Sequence, residues 1–382
     1  MDSNAVFIIF TLSIIIFISP YISKIFKIPT TPVEIVLGSI AATAGFLKYN
    51  YLFELIAEVG FYYLMFLAGT EVNLKELRGM SKDMLKKNIL YLVLLYFLAF
   101  TFVKIHGVNT IFIVIMPLIS VGLIITLYKD FDKDTKWLNL SMSTGIFGEL
   151  VSIVVVTIAG AVIENGIGIK LYTSLLYLVL FILAVIVMFK AFNLLFWWYP
   201  ELKSLLIPIY SDKDEKDIRL SMALFFLMIA VMMLLHLEVA FGAFVAGVFI
   251  PTFFHHNKDL PHKLGSFGFG FLVPIFFVYI GSTFHLGRLF DDGLIMESLW
   301  ITAAMIGMRF LASLSFIGYL NFKERLLFSF SQSMPLTLLV AIATLAYQNQ
   351  IISQFYYFTF ILAALFEVII SIVAIKGISK NP

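Results

Sequence analysis

From residue 4 to residue 376 the chain alternates long apolar runs with short polar joints, and the period-two alternation of a half-buried strand is missing from the runs. Thirteen candidate spans lie near 4–22, 32–48, 53–70, 88–105, 110–128, 138–163, 171–198, 218–236, 239–252, 266–284, 294–320, 324–347 and 352–376. Crossing a hydrocarbon layer about 30 Å thick takes roughly 20 apolar residues as a helix. A spanning segment must also satisfy its own backbone hydrogen bonds, which leaves helices or a closed barrel. The runs are too long for barrel strands. The pattern predicts an all-α polytopic membrane protein with about thirteen transmembrane helices.

Composition agrees with this. Of 382 residues 61% are apolar and 13% charged, with a mean hydropathy of +1.00. A soluble domain holds roughly 45–50% apolar residues. The first run, "AVFIIFTLSIIIFISPYISKIF", lacks a basic leader and a small-residue cleavage site, so it reads as a first span and not as a signal peptide. No soluble domain is expected after the last span. The basic residues orient the helices, since cytoplasmic loops carry the excess of Lys and Arg. With the N-terminus outside, the outer loops hold Lys48, Lys104, Lys170 and Arg288, and every other basic residue except Lys190 and Arg309 falls on the cytoplasmic side. The expected location is the cell (inner) membrane, with the N-terminus outside and the C-terminus cytoplasmic.

The longest polar joint, "YPELKSLLIPIYSDKDEKDIR", follows span seven and leaves six spans on either side of it. That is the layout of two inverted repeats joined by a linking helix. Cysteine is absent, which excludes disulfides and thiolate metal sites. The histidines of "PTFFHHNKDLPHKLG" lack the spacing of a metal-binding helix and read as a wet loop. No cofactor and no nucleic-acid partner are expected. The partner the chain must have is the lipid bilayer.

Ionisable residues at membrane depth usually face a bundle interior or a wet cavity. Glu149 lies near the middle of span six, Arg309 in span eleven, Glu367 in span thirteen and Lys190 toward the cytoplasmic end of span seven. Lys190 has room to snorkel to the interface. Glu149 has a short side chain and no nearby helix end. Burial disfavours its ionised form, so such a carboxylate can hold a proton or a metal cation in competition. Arg309 stays charged and needs an anionic or carbonyl partner, which Glu367 or Glu149 could supply. A structural ion pair that fixes helix packing is an equal reading of Arg309.

Two spans also carry breaks. Span five has Pro117 and Gly122 around Ser120, and span twelve clusters Gln332, Ser333 and Pro335. Proline removes a backbone donor and obstructs the preceding turn, and broken helices expose carbonyls that can ligate a cation at mid-membrane. If spans two to six repeat as nine to thirteen, the two breaks occupy equivalent places, and so do Glu149 and Glu367.

The chain resembles the monovalent cation:proton antiporter superfamily, in its Kef/NapA-like branch. The passages "IAEVGFYYLMFLAGTEVNLKEL", "LEVAFGAFVAGVFIP" and "FLVPIFFVYIGSTFHL" carry the likeness, together with "LISVGLIITLYKDF" followed by "STGIFGELVSI". The resemblance implies an NhaA/NapA-like fold with two crossing broken helices. It places Glu149 at the second, ion-binding position of the family's Asp-Asp or Asn-Asp pair, with Gly148 where Asp or Asn is usual. Ser120, Val121 and Gly122 match the unwound cation-binding segment, with Val121 at the usual Thr. Arg309 matches a basic core residue, and Pro335 and Leu336 stand where many relatives have Gly-Glu. Glu367, Gln332, Ser333 and Pro335 join Arg309 as structural or charge-compensating groups of the core.

The resemblance also divides the chain. Residues 1–87 and 218–293 would form a panel that dimerises, residues 88–170 and 294–382 a moving core, and residues 171–217 the linking helix and cytoplasmic loop. The small-residue face of Gly242, Ala243, Ala246 and Gly247 in span nine suits a panel or dimer contact first and a pore lining second. The implied function is alternating-access exchange of Na⁺ or K⁺ for H⁺ at Glu149, electroneutral because one carboxylate remains at the pair. Two alternatives stay open: a Kef-like K⁺ efflux channel or transporter with a separate regulatory subunit, and a non-transporting sensor that keeps the fold. Enzyme motifs such as HExxH, GxSxG or GxGD are not found.

Overall fold

The computed structural model describes residues 3–26, 28–72, 79, 81–127, 135–165, 168–199, 215–237, 239–253, 259–284, 287 and 292–379. Most of the long polar joint (200–214), His255, His256 and several of the orienting basic residues, among them Lys75, Lys129 and Arg288, lie outside them.

In chain order the helices are α1 (Ser3–Phe26), α2 (Thr30–Thr43), α3 (Tyr51–Thr70), α4 (Lys82–His106), α5 (Phe112–Ile115), α6 (Gly122–Leu127), α7 (Lys136–Asn165), α8 (Ile169–Trp198) and α9 (Lys216–Leu234). There follow α10 (Val239–Phe253), α11 (Leu260–Phe267), α12 (Val273–Thr283), α13 (Leu294–Ala312), α14 (Phe322–Gln332), α15 (Leu336–Gln348) and α16 (Gln354–Ser379). A π turn at Gly268–Leu272 joins α11 to α12. Each of the thirteen apolar runs holds a helix or an interrupted pair of helices. Among the described residues, nine helices are long and apolar enough to cross a membrane, and two shorter apolar ones accompany them. Two runs end earlier than their hydropathy suggests. The run at 32–48 forms a helix of 14 residues. The run at 294–320 leaves the α-helix after Ala312, where a 3-10 turn leads to Gly318 with φ of 84°.

The chain divides into two units. The first comprises Met1–Leu74 and Glu164–His285. Glycines let its backbones approach closely: a Cβ on Gly247 of α10 would run into the Phe66 carbonyl and the Gly69 Cα of α3, and one on Gly281 of α12 into the Ile35 carbonyl of α2. In lipid, where apolar side chains gain nothing by leaving water, such close van der Waals approach is what holds helices together. The small-residue face of span nine is used here: Gly247 meets α3 and Gly242 meets Met228 and Met232 of α9. Ser39 adds a hydrogen bond to the Phe284 carbonyl. Helix α8 touches this unit through aromatic pairs such as Phe189–Phe249. Only 17% of its apolar window is buried within the chain, and Lys190 is exposed on it.

The second unit comprises Lys75–Ile163 and Leu286–Pro382. Helix α16 runs through its middle, with 72% of its window buried, and packs on α13, α14 and α15. Helix α13 also rests on α4, and α15 on α5. Both expected interruptions are present. After α5 the chain leaves the helix at Met116–Val121 and resumes at Gly122. After α14 it leaves at Ser333–Pro335, and Pro335 caps α15 with φ −82° and ψ 36°. In each case a proline without an N–H stands where the ladder stops.

Candidate functional site

The first break brings the predicted residues together. Residues 118–120 are non-helical, so their backbone groups lose their helical partners, and in a buried segment each needs a substitute. Helix α7 receives two backbone N–H groups, those of Val121 and Ile119, and the Ser120 hydroxyl as well. The Val121 N–H donates to Glu149 Oε2 at 3.1 Å, and the Ser120 hydroxyl donates to Oε1 at 3.1 Å. One turn further along α7, the Ser152 hydroxyl accepts the Ile119 N–H at 3.0 Å. Helix α13 supplies the next: Arg309 Nη2 donates to the Leu118 carbonyl at 2.8 Å. Glu149 and Arg309 are both fully buried.

Arg309 has Glu367, and not Glu149, as its carboxylate partner. Its Nη1 lies 3.1 Å from Glu367 Oε1 and 3.0 Å from the Met305 carbonyl. Glu367 is fully buried as well. The two glutamates therefore have different surroundings. Glu367 faces a permanent cation, while Glu149 accepts from a hydroxyl and a neutral peptide N–H. Arg309 Nε, Glu367 Oε2 and Gln332 Oε1 are buried and have no hydrogen-bond partner among the described groups.

The second break is tied differently. Gln332 Nε2 donates to the Ser141 carbonyl at 2.8 Å, and the Ser371 hydroxyl donates to the Ser333 carbonyl at 3.3 Å. Ser331 and Ser141 share a 2.7 Å bond between their hydroxyls. These contacts join α14 to α7 and α16, so Gln332, Ser333 and Pro335 stand at a helix–helix junction.

Gly148, the residue before Glu149, faces Ile119. A Cβ there would lie 2.6 Å from Ile119 Cδ1 and 3.1 Å from Ile119 Cβ. Ile119 fills the space into which a side chain at position 148 would project. Asn88 of α4 is fully buried and accepts from the Thr144 hydroxyl at 2.9 Å.

Sequence reasoning passed over three features. Ser152 and the Leu118 carbonyl carry no signal of their own; an i, i+3 offset of Ser152 from Glu149 is the one available hint. Glu34 of α2, 5% exposed and accepting from the Ser19 hydroxyl at 3.3 Å, lies near the start of the run at 32–48, where hydropathy does not separate a buried acid from an interfacial one.

Similarity to known proteins extends over nearly the whole chain. A family model described as "Sodium/hydrogen exchanger, transmembrane" matches residues 13–378. The putative Na(+)/H(+) antiporter YjbQ of Bacillus subtilis is 25% identical over 96% of this chain, which spans 62% of that protein's length. The probable Na(+)/H(+) antiporter 3 of Methanocaldococcus jannaschii is 23% identical over 83% of this chain and 81% of its own. Among solved structures, the sodium proton antiporter MjNhaP1 of Methanocaldococcus jannaschii at pH 8 shares the fold, with a TM-score of 0.67 over 99% of this chain and 100% of that one at 16% identity. With the family model covering nearly the whole chain, this protein belongs to the sodium/hydrogen exchanger family of transmembrane proteins.

Proposed function

We propose that this chain is a secondary antiporter that exchanges a monovalent cation for H⁺, with Glu149 as the group both ions occupy in turn. The observation that carries the reading is the fully buried Glu149 carboxylate, held by the Ser120 hydroxyl and the Val121 N–H of a broken helix. A buried carboxylate without a permanent cationic partner must be neutralised by something mobile, and a proton or a bare cation meets that need equally. The Ser120 hydroxyl can rotate from donating to the carboxylate to offering a lone pair to a cation. Na⁺ is the first cation to test, because the relatives are named Na(+)/H(+) antiporters; K⁺ is the second.

We read the exchange as electroneutral, a reading supported by Ile119 filling the place beside Gly148 and leaving Glu149 as the acid next to the break. The whole of this machinery lies in the unit made of Lys75–Ile163 and Leu286–Pro382, which we read as the transporting core. We read the other unit as the panel through which a homodimer would form. The Arg309–Glu367 pair then serves to hold α13, α16 and the Leu118 carbonyl in place, leaving Glu149 to exchange.

The test is dequenching of a pH-sensitive dye in everted vesicles. Addition of Na⁺ or K⁺ should raise the signal for the unaltered chain, and Glu149→Gln should abolish it while protein levels hold. A Glu149→Gln variant that transports normally would remove Glu149 from the mechanism.

A further inference from the structure

The geometry points to Ser152 as a positioning residue that keeps the unwound segment in register on α7 while Glu149 changes its occupant; this rests on the exchange reading above. Ser152 is 1% exposed and its hydroxyl oxygen accepts the Ile119 N–H at 3.0 Å. It follows Glu149 by three residues, so both side chains leave the same face of the helix. The two anchors therefore pair in antiparallel order: Ile119 with Ser152, and Val121 with Glu149.

The spacing suits two simultaneous contacts. Ile119 and Val121 are two residues apart in the unwound segment, and their partners Ser152 and Glu149 are three residues, about 4.5 Å, apart along α7. Both anchors can be met at once by a segment lying along α7, and a slip of one residue would lose both. With a single anchor the segment could pivot about position 149.

The anchors differ chemically. Glu149 must redistribute its lone pairs whenever a proton or a cation arrives, so its hold on Ser120 and Val121 varies through the cycle. Ser152 is neutral and has no exchanging ion, so its hold on Ile119 is constant. Arg309 secures the Leu118 carbonyl from the other side at 2.8 Å. The segment is thus gripped at 118 and 119 by groups that do not exchange, and at 120 and 121 by the one that does. Removing the Ser152 hydroxyl leaves the Ile119 N–H buried and unpaired and frees Ser120 from its place beside the carboxylate.

The experiment compares Ser152→Ala, Ser152→Cys and Ser152→Thr in the full chain by the cation concentration that gives half-maximal dequenching. Ser152→Ala should raise that concentration about tenfold, in line with the cost of an unmet buried donor, with the maximal rate changed much less. Ser152→Cys, a weaker acceptor, should fall between, and Ser152→Thr should restore the unaltered value. Half-saturation unchanged in Ser152→Cys and Ser152→Ala overturns the assignment, as does a Thr variant no better than Ala. If Ser152→Ala does not accumulate, the Cys variant decides alone. Glu149→Gln, run alongside, separates the two ideas: an inactive Gln variant beside an unshifted Ser152→Ala sinks the positioning role alone, and an active one sinks the exchange reading.

Discussion

Replacing Arg309 by methionine strands a carboxylate in the middle of the second unit. Both partners are fully buried, and Arg309 Nη1 stands 3.1 Å from Glu367 Oε1. At an effective dielectric of about 20, unit charges at that separation attract by about 5 kcal/mol. Breaking a buried pair on one side costs about 3–5 kcal/mol, because the remaining charge keeps its desolvation penalty without a partner. Glu367→Gln should be milder. Its amide oxygen can still accept from Nη1, and the guanidinium keeps the Met305 and Leu118 carbonyls. A loss of about 1–3 kcal/mol is expected there. The double variant Arg309→Met with Glu367→Gln removes both charges and should be more stable than Arg309→Met alone. The coupling in this cycle should then reach about 2 kcal/mol or more, inside the range measured for contacting residues. Denaturant unfolding in mixed micelles, followed by tryptophan fluorescence, gives the four stabilities. Effects that add to within about 0.5 kcal/mol would mean that the two groups do not interact, and the structural role given to the pair would fall.

Two further outcomes are expected. Gly148→Ala should destabilise the protein by about 1–3 kcal/mol, the usual cost of overpacking, because the new methyl meets Ile119; Ile119→Val, which removes the nearest atom, should recover part of the loss in a thermal melt, and an undisturbed Gly148→Ala melt contradicts the packing of Ile119 against position 148. The chain has no cysteine, so single substitutions can map its orientation: a membrane-impermeant maleimide applied to intact cells should label Asn349→Cys and not Lys323→Cys, and the reverse pattern would invert the proposed topology.

Much of the architecture was legible because it depends on local properties. Apolar run length predicts a helix in lipid wherever the backbone has no water to bond with. Pro117 and Pro335 mark the breaks because a missing N–H interrupts a ladder whatever surrounds it. Glu149 and Arg309 stood out because a charge in an apolar run is costly in any fold. Facing was not legible. A span surrounded by lipid and by other helices is apolar on every side, so periodicity does not say which flank meets which neighbour. That Arg309 takes Glu367 and leaves Glu149 depends on how α13 and α16 are rotated, and these residues are 58 positions apart in the chain. The same holds for Ile119 filling the place beside Gly148, for Ser152 catching the Ile119 N–H, and for the α3–α10 approach through Gly69 and Gly247. The sequence by itself determined which runs hold helices, where the two breaks fall and that Glu149, Arg309 and Glu367 lie deep. Only the tertiary structure decided which groups meet, because hydrogen bonds and ion pairs act over about 3 Å, and packing alone brings residues so distant in sequence within that reach.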